Sequence, residues 1–268
     1  MGWIHALIIA IVEGITEFLP ISSTGHMIIT QHILGIPESE FVKVFIVNIQ
    51  LGAILSVVVL YWKKFFDFTR WQFYVKLIIS VIPALILGLI FSDKIDELLE
   101  SPLTVAISFL VGGIVLIFID TFFTKSEITD EKEITYKKGF IIGVWQCIAM
   151  IPGVSRSAAS IIGGMQQKLT RAAAAEFSFF LAVPTMAAAT GYKLLKTFKT
   201  SPEILHDSHN IAILGFGNLI AFIVAMLAIK FFITYLTKHG FKVFGYYRIV
   251  VGIIIIAMIS MGSNLTIV

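Results

Sequence analysis

Glu13-Gly-Ile-Thr-Glu17-Phe-Leu-Pro20-Ile-Ser22-Ser23-Thr24-Gly-His26 is the stretch on which the reading of this chain turns. An apolar run, Trp3 to Val12, leads into it, and another apolar run follows. Two carboxylates, a proline, two serines, a threonine and a histidine are costly in hydrocarbon, so the cluster marks a site rather than a surface. Glu13 and Glu17 are four apart and share one helical face. Two like charges repel there, the more so in a low dielectric. A shared proton, a bound cation or an arginine partner resolves the repulsion. Mg²⁺ or Ca²⁺ suits carboxylates that meet phosphate oxygens, because hard ions prefer oxygen ligands. The plainer alternative leaves one glutamate neutral or turned into water. Ser22 and Thr24 either cap the helix that follows or meet a ligand. His26 acts as general base or phosphoryl-accepting nucleophile, unless it is a hydrogen-bonded structural residue.

Composition sets the environment. Of 268 residues, 57% are hydrophobic and 14% charged, and the mean hydropathy is +0.93. Soluble domains carry roughly 25% charged residues, so the chain reads as an all-α polytopic membrane protein. No basic segment precedes the first apolar run and Glu13 interrupts it, which argues against a cleaved signal peptide. A net charge of +3 suits loops that touch anionic membrane lipid, and nothing resembles a nucleic-acid face. The single cysteine, Cys147, allows neither an internal disulfide nor a cysteine-based metal site. Composition is also compatible with a homo-oligomer.

Six full spans are predicted, at about 43–62, 77–92, 103–123, 174–195, 211–236 and 243–262. Two broken apolar stretches remain, 3–34 and 139–168, with Pro20 and Pro152 in their middles. Proline removes a backbone donor and disfavours helix in the residue before it. Irregular backbone at membrane depth survives only against protein or a water-filled cavity. Both stretches are therefore expected to be re-entrant helix–loop–helix hairpins, with kinked ordinary spans as the alternative. Glu13 to Pro20 aligns with Trp145 to Pro152, Ser23 with Ser155, and Leu103–Gly112 with Val243–Gly252. That makes one membrane domain, 1–268, of two halves, about 1–123 and 139–268, joined by a polar linker at about 124–138. Three spans per half is odd, so the repeat would be inverted. Fourteen of the 20 Lys and Arg fall on one side, Arg248 among them, five on the other, and Arg156 in the second break. The positive-inside rule places the rich side in the cytoplasm and the acidic loop with Asp93, Asp96, Glu97 and Glu100 outside.

The second break reads Pro152-Gly153-Val154-Ser155-Arg156-Ser157-Ala-Ala-Ser160. It has the character of a turn opening a helix, where serines cap and free N–H groups favour anions. Arg156 adds a planar fork that matches phosphate bidentately, or else it merely pairs with Glu13 or Glu17. The first break thus supplies acids and a base, the second a cation and an anion-binding turn. A phosphate or diphosphate with a divalent ion between them balances every charge, which is what phosphoryl transfer asks of a protein. A transporter or lipid flippase is the rival reading, since inverted repeats with broken helices are common there. A structural or regulatory subunit gives no reason to gather these residues. His206 and His209 sit beside Asp207 in a polar outer loop and read as solvated.

Glu13-x-x-x-Glu17, the Phe18-to-His26 run and Pro152-Gly-Val-Ser-Arg-Ser157 together resemble the undecaprenyl-diphosphate phosphatase family of the bacitracin-resistance (BacA) type. Ile49-Gln-Leu-Gly52, Ala175-Glu-Phe-Ser-Phe179 and Gly245-Tyr-Tyr-Arg248 extend the similarity over essentially the whole chain. The resemblance implies a multi-pass enzyme of the bacterial inner membrane, its site facing outward. It would remove one phosphate from undecaprenyl diphosphate and so recycle the lipid carrier of peptidoglycan synthesis. A divalent cation is implied, as is competition by bacitracin for the substrate rather than for the protein. By position, Glu13, Glu17, Ser23, His26, Ser155 and Arg156 match the family's motifs. Ser160 stands where the motif has threonine and keeps the hydroxyl. The expected roles follow: His26 as nucleophile or base, with Ser23 or water as the alternative attacking group, Arg156 on the transition state, Glu13 and Glu17 on the metal. Ser22, Ser23, Thr24, Gly153, Ser155, Ser157 and Ser160 are the expected phosphate contacts.

Overall fold

The computed structural model describes residues 1–91, 94, 98, 101–263 and 265. The acidic loop of Asp93, Asp96, Glu97 and Glu100 lies outside the described residues. The described chain is all-α apart from one isolated bridge between Ile128 and Leu169. Its helices are α1 (Trp3–Thr16), α2 (Ser23–Ile33), α3 (Glu40–Leu60), α4 (Trp62–Phe65), α5 (Trp71–Ile90) and α6 (Pro102–Phe122). After the linker come α7 (Tyr136–Gln146), α8 (Arg156–Gln166), α9 (Arg171–Thr200), α10 (Pro202–His206), α11 (Ser208–His239) and α12 (Lys242–Ser260).

Six of these, α3, α5, α6, α9, α11 and α12, are long and apolar enough to cross a bilayer, and they fall on the six predicted spans. Two of them, α9 and α11, reach 30 and 32 residues, well past the predicted ends. Side-chain caps decide those ends better than hydropathy: Thr170 accepts from the Ala173 N–H, and Asp207 from His209 and Asn210. The broken stretches are paired short helices, α1 with α2 and α7 with α8, and each pair packs together. A 14-residue helix is about 21 Å long, short of the roughly 30 Å hydrocarbon core.

Packing crosses the halves. The first arm of each pair lies on a span of the other half, α1 on α11 and α7 on α5. The matched third spans, α6 and α12, lie on each other, so close that a Cβ on Gly113 would stand 2.8 Å from the Gly245 carbonyl. Small residues permit such backbone approach between membrane helices.

One end of the molecule gathers the loops rich in Lys and Arg. Lys64 and Arg70 pair with Glu131 of the linker, Lys168 with Glu127, and Arg171 with Asp120. The linker is therefore bound down rather than free, with Ile128, Glu131 and Ile134 buried. Burial would raise the Glu131 carboxyl, but hydrogen bonds from Lys64 and Arg70 outweigh it and hold its pKa down to about 2. Arg248 does not belong to this face. It is 1% exposed and lies inside the protein, so the rich side carries thirteen of the 20 basic residues.

Candidate active site

Residues 17–22 separate α1 from α2, and residues 147–155, opening with a 3-10 turn at Cys147–Met150, separate α7 from α8. Each break contains its proline, and each holds one residue in the left-handed region: Ser22 at φ 67° and Gly153 at φ 84°. At Gly153 the conformation is free, and a Cβ would stand 2.7 Å from the Val105 carbonyl. At Ser22 it is strained, of the kind that persists only where surroundings over-determine it.

The two breaks touch. Leu19 of the first offers its carbonyl to the hydroxyls of Ser157 at 2.8 Å and Ser155 at 3.4 Å. Arg248 comes up from α12 beneath both. Its guanidinium donates to the carbonyls of Gly153 (2.8 Å), Ser108 (2.8 Å) and Pro20 (3.4 Å), and lies over the Phe109 ring. Broken helices free their carbonyls, and a buried arginine supplies the donors that water would otherwise give.

Above this floor lie the charged groups. Glu17 ends α1 with one carboxylate oxygen 3.1 Å from Arg156 Nη2 and the other accepting from Ser23 Oγ at 2.7 Å. Arg156, first residue of α8, also donates through Nη1 to the Ser178 carbonyl at 3.0 Å, and its guanidinium faces the Phe18 ring. Glu13 stands one turn below, fully buried, and neither of its carboxylate oxygens has a partner among the described residues. One arginine therefore faces two carboxylates.

His26 is oriented from both sides. Nδ1 lies 2.7 Å from the Ser22 carbonyl, which only accepts, so Nδ1 carries the proton. The strained backbone at Ser22 thus aims the carbonyl that fixes the tautomer. Nε2 is left for chemistry and meets the Tyr247 hydroxyl at 2.7 Å, with the two rings parallel.

The expected phosphate contacts divide. Ser23 and Thr24 are half-exposed and stand in the first turn of α2, whose N-terminus has no side-chain cap. Ser22 is buried and acts through its carbonyl. Ser155 caps α8 by accepting from the Ala158 N–H. Ser157 and Ser160 are buried with their hydroxyls on protein acceptors, Leu19 O for one, Arg156 O and Ser178 Oγ for the other. Gly153 gives its carbonyl to Arg248. Sequence reasoning missed Tyr247 and Arg248 as members of this constellation, although a charge inside the span 243–262 was the available signal.

The family model described as Bacitracin resistance protein BacA matches residues 6–254. The chain belongs to this family. A family member from Flavobacterium psychrophilum, named Undecaprenyl-diphosphatase, is 61% identical over 256 residues, 96% of this chain and 95% of that protein. Another of that name, from Flavobacterium johnsoniae, is 56% identical over 269 residues and the full length of both. A more distant one, from Aquifex aeolicus, is 47% identical over 93% of this chain and 96% of its own length. The family match takes in both breaks and α12 as far as Ile254, hence every residue of the site described above.

Proposed function

We propose that the meeting of the two breaks is the catalytic centre of an undecaprenyl-diphosphatase. The chain hydrolyses undecaprenyl diphosphate to undecaprenyl phosphate and inorganic phosphate, a reaction that regenerates a lipid carrier and underlies resistance to bacitracin. The observation that carries the assignment of the centre is the Glu17–Arg156 pair, which spans the two breaks beside the unpartnered Glu13.

The diphosphate enters as polyanion, so Arg156 exchanges part of its hold on Glu17 for a bidentate hold on the terminal phosphoryl oxygens. Ser23, Thr24 and the open first turn of α2 donate to the same oxygens. Glu13 and Glu17 fit a hard divalent cation: two adjacent carboxylates, one with both oxygens unpartnered, and phosphate oxygens to complete the shell. Such an ion, when bound, neutralises the carboxylate pair and the charge that develops on the leaving phosphate. His26 works at Nε2, as the attacking atom or as the base that takes a proton from the attacking water. Either way the bond from the terminal phosphorus to the bridging oxygen breaks and undecaprenyl phosphate leaves; where His26 attacks, water then cleaves the phosphorus–nitrogen bond to release inorganic phosphate and restore the imidazole. Tyr247 holds Nε2 until substrate arrives.

The same reading includes two re-entrant hairpins and an inverted repeat, supported by short paired arms and by the crosswise packing of the halves. It places the thirteen-residue basic face in the cytoplasm and the first hairpin's entry on the outer side of the inner membrane. The test is phosphate release from a prenyl diphosphate by detergent-purified protein, with and without EDTA, beside Glu17→Ala and Arg156→Ala. Release that requires the metal and falls at least about 10³-fold in both variants is expected. Full turnover in EDTA would remove the cation, and turnover by either variant would remove the two-break centre.

A further inference from the structure

A second charged site lies away from the breaks, at the basic end of the molecule. There a cavity of about 390 Å³ opens between the first turn of α5 and the linker. Its walls carry Arg70, Lys76 and Lys132 against one carboxylate, Glu131. That carboxylate is already engaged by Lys64 and Arg70. Lys76 is only 7% exposed, and its ammonium donates to two carbonyls, those of Glu131 and Lys132, at 3.0 and 2.9 Å. Among the described residues no carboxylate pairs with it. A buried cation whose partners are only carbonyls is costly, and an anion in the cavity would relieve it. The N-terminus of α5 turns the same way: Arg70 gives it no side-chain cap, and Trp71 and Gln72 of the first turn line the cavity.

We propose that this cavity holds the phosphate headgroup of an anionic membrane phospholipid. Exposed aromatic side chains beside a basic recess select a lipid over a soluble anion. Trp71, which lines the cavity, and Phe68, two residues before its Arg70, are 59% and 74% exposed, and exposed aromatic rings of this kind sit at headgroup level. Basic recesses beside transmembrane helices at that depth match anionic lipid heads. The site has a mechanical consequence. Lys76 stands where α5 meets α7, so closely that a Cβ on Gly143 would run into the Ser80 carbonyl. A bound head therefore clamps the linker and steadies the root of the second hairpin. None of this depends on the hydrolase chemistry.

The experiment is native mass spectrometry of the full-length protein with added phosphatidylglycerol, phosphatidylcholine or inorganic phosphate. Gln72→Glu and Lys132→Glu are compared with Lys238→Glu, which makes the same two-charge change as Lys132→Glu elsewhere on the same exposed face. Gln72→Glu also places a carboxylate in a helix first turn, which favours the fold while repelling the lipid. Wild type is expected to retain one phosphatidylglycerol. Lys132→Glu, a change of two charges, is expected to weaken retention about 25-fold and Gln72→Glu about fivefold, while Lys238→Glu keeps it. Equal retention by Lys132→Glu and wild type would overturn the site. Equal retention of phosphatidylcholine, or displacement of phosphatidylglycerol by millimolar phosphate, would overturn the anionic lipid as its occupant.

Discussion

The two breaks have similar outlines and opposite temperaments. In the second, the left-handed residue is a glycine, the following helix is capped by Ser155, and the serine hydroxyls all rest on protein acceptors. In the first, the left-handed residue is Ser22, α2 has no side-chain cap, and Glu13, one turn before the break, is buried with no partner among the described residues. One break has its hydroxyls and its Gly153 carbonyl satisfied by protein partners, Leu19 of the other break among them. The other carries the strained backbone at Ser22 and leads into a helix without a side-chain cap. Functional sites concentrate such local violations, and the rest of the fold offsets them. Arg156 is the exception, a residue of the settled break that reaches into the unsettled one.

Arg156→Lys is the sharpest way to break this comparison. It keeps the charge and loses the planar fork, so phosphate release is expected to fall about 100-fold or more with thermal stability unchanged. Turnover within tenfold of wild type would mean that the second break contributes only scaffolding. Arg248→Met comes next and acts on the floor shared by both. Three buried carbonyls lose their donor, and the melting temperature in detergent should drop by the equivalent of about 3 kcal/mol. An unchanged melting curve would show that other donors replace the arginine.

A paired substitution then separates the temperaments directly. Gly153→Ala forces a Cβ into both a left-handed backbone and the Val105 carbonyl, and is expected to destabilise by about 2 kcal/mol. Ser22→Gly relaxes the strained position and should stabilise by up to about 1 kcal/mol while lowering turnover, because the carbonyl that orients His26 is no longer held. If both variants lose stability, strain is not what distinguishes the breaks. The smallest expected effect is that of Tyr247→Phe. It removes the hydroxyl on Nε2 and should cost about tenfold in turnover, with the acid limb of the pH–rate profile displaced. A profile that superimposes on wild type would make Tyr247 a packing residue.

Much of this was legible in the residues. Hydropathy located all six long helices, because a span's length is set by the bilayer and not by its neighbours. Pro20 and Pro152 located the breaks, since proline acts on its own turn of backbone. Glu13, Glu17, His26 and Arg156 stood out because ionisable groups in apolar sequence are rarely idle. Arg248 was misplaced on the basic face for a related reason: an arginine five residues into a span looks, in one dimension, like one that reaches the interface. Only the folded chain brings Pro20, Ser108 and Gly153 to its guanidinium, from segments more than ninety residues away in sequence. The same is true of the division between Glu13 and Glu17. Their spacing announced a conflict of charge and offered three resolutions. Which glutamate received the arginine was decided by where α8 meets α1. Composition and local sequence thus determined a polytopic membrane protein with two polar breaks, and the motifs' resemblance to a known family pointed to the enzyme. Partner choice among the buried charges belongs to tertiary structure, because it depends on distances between segments that periodicity does not encode.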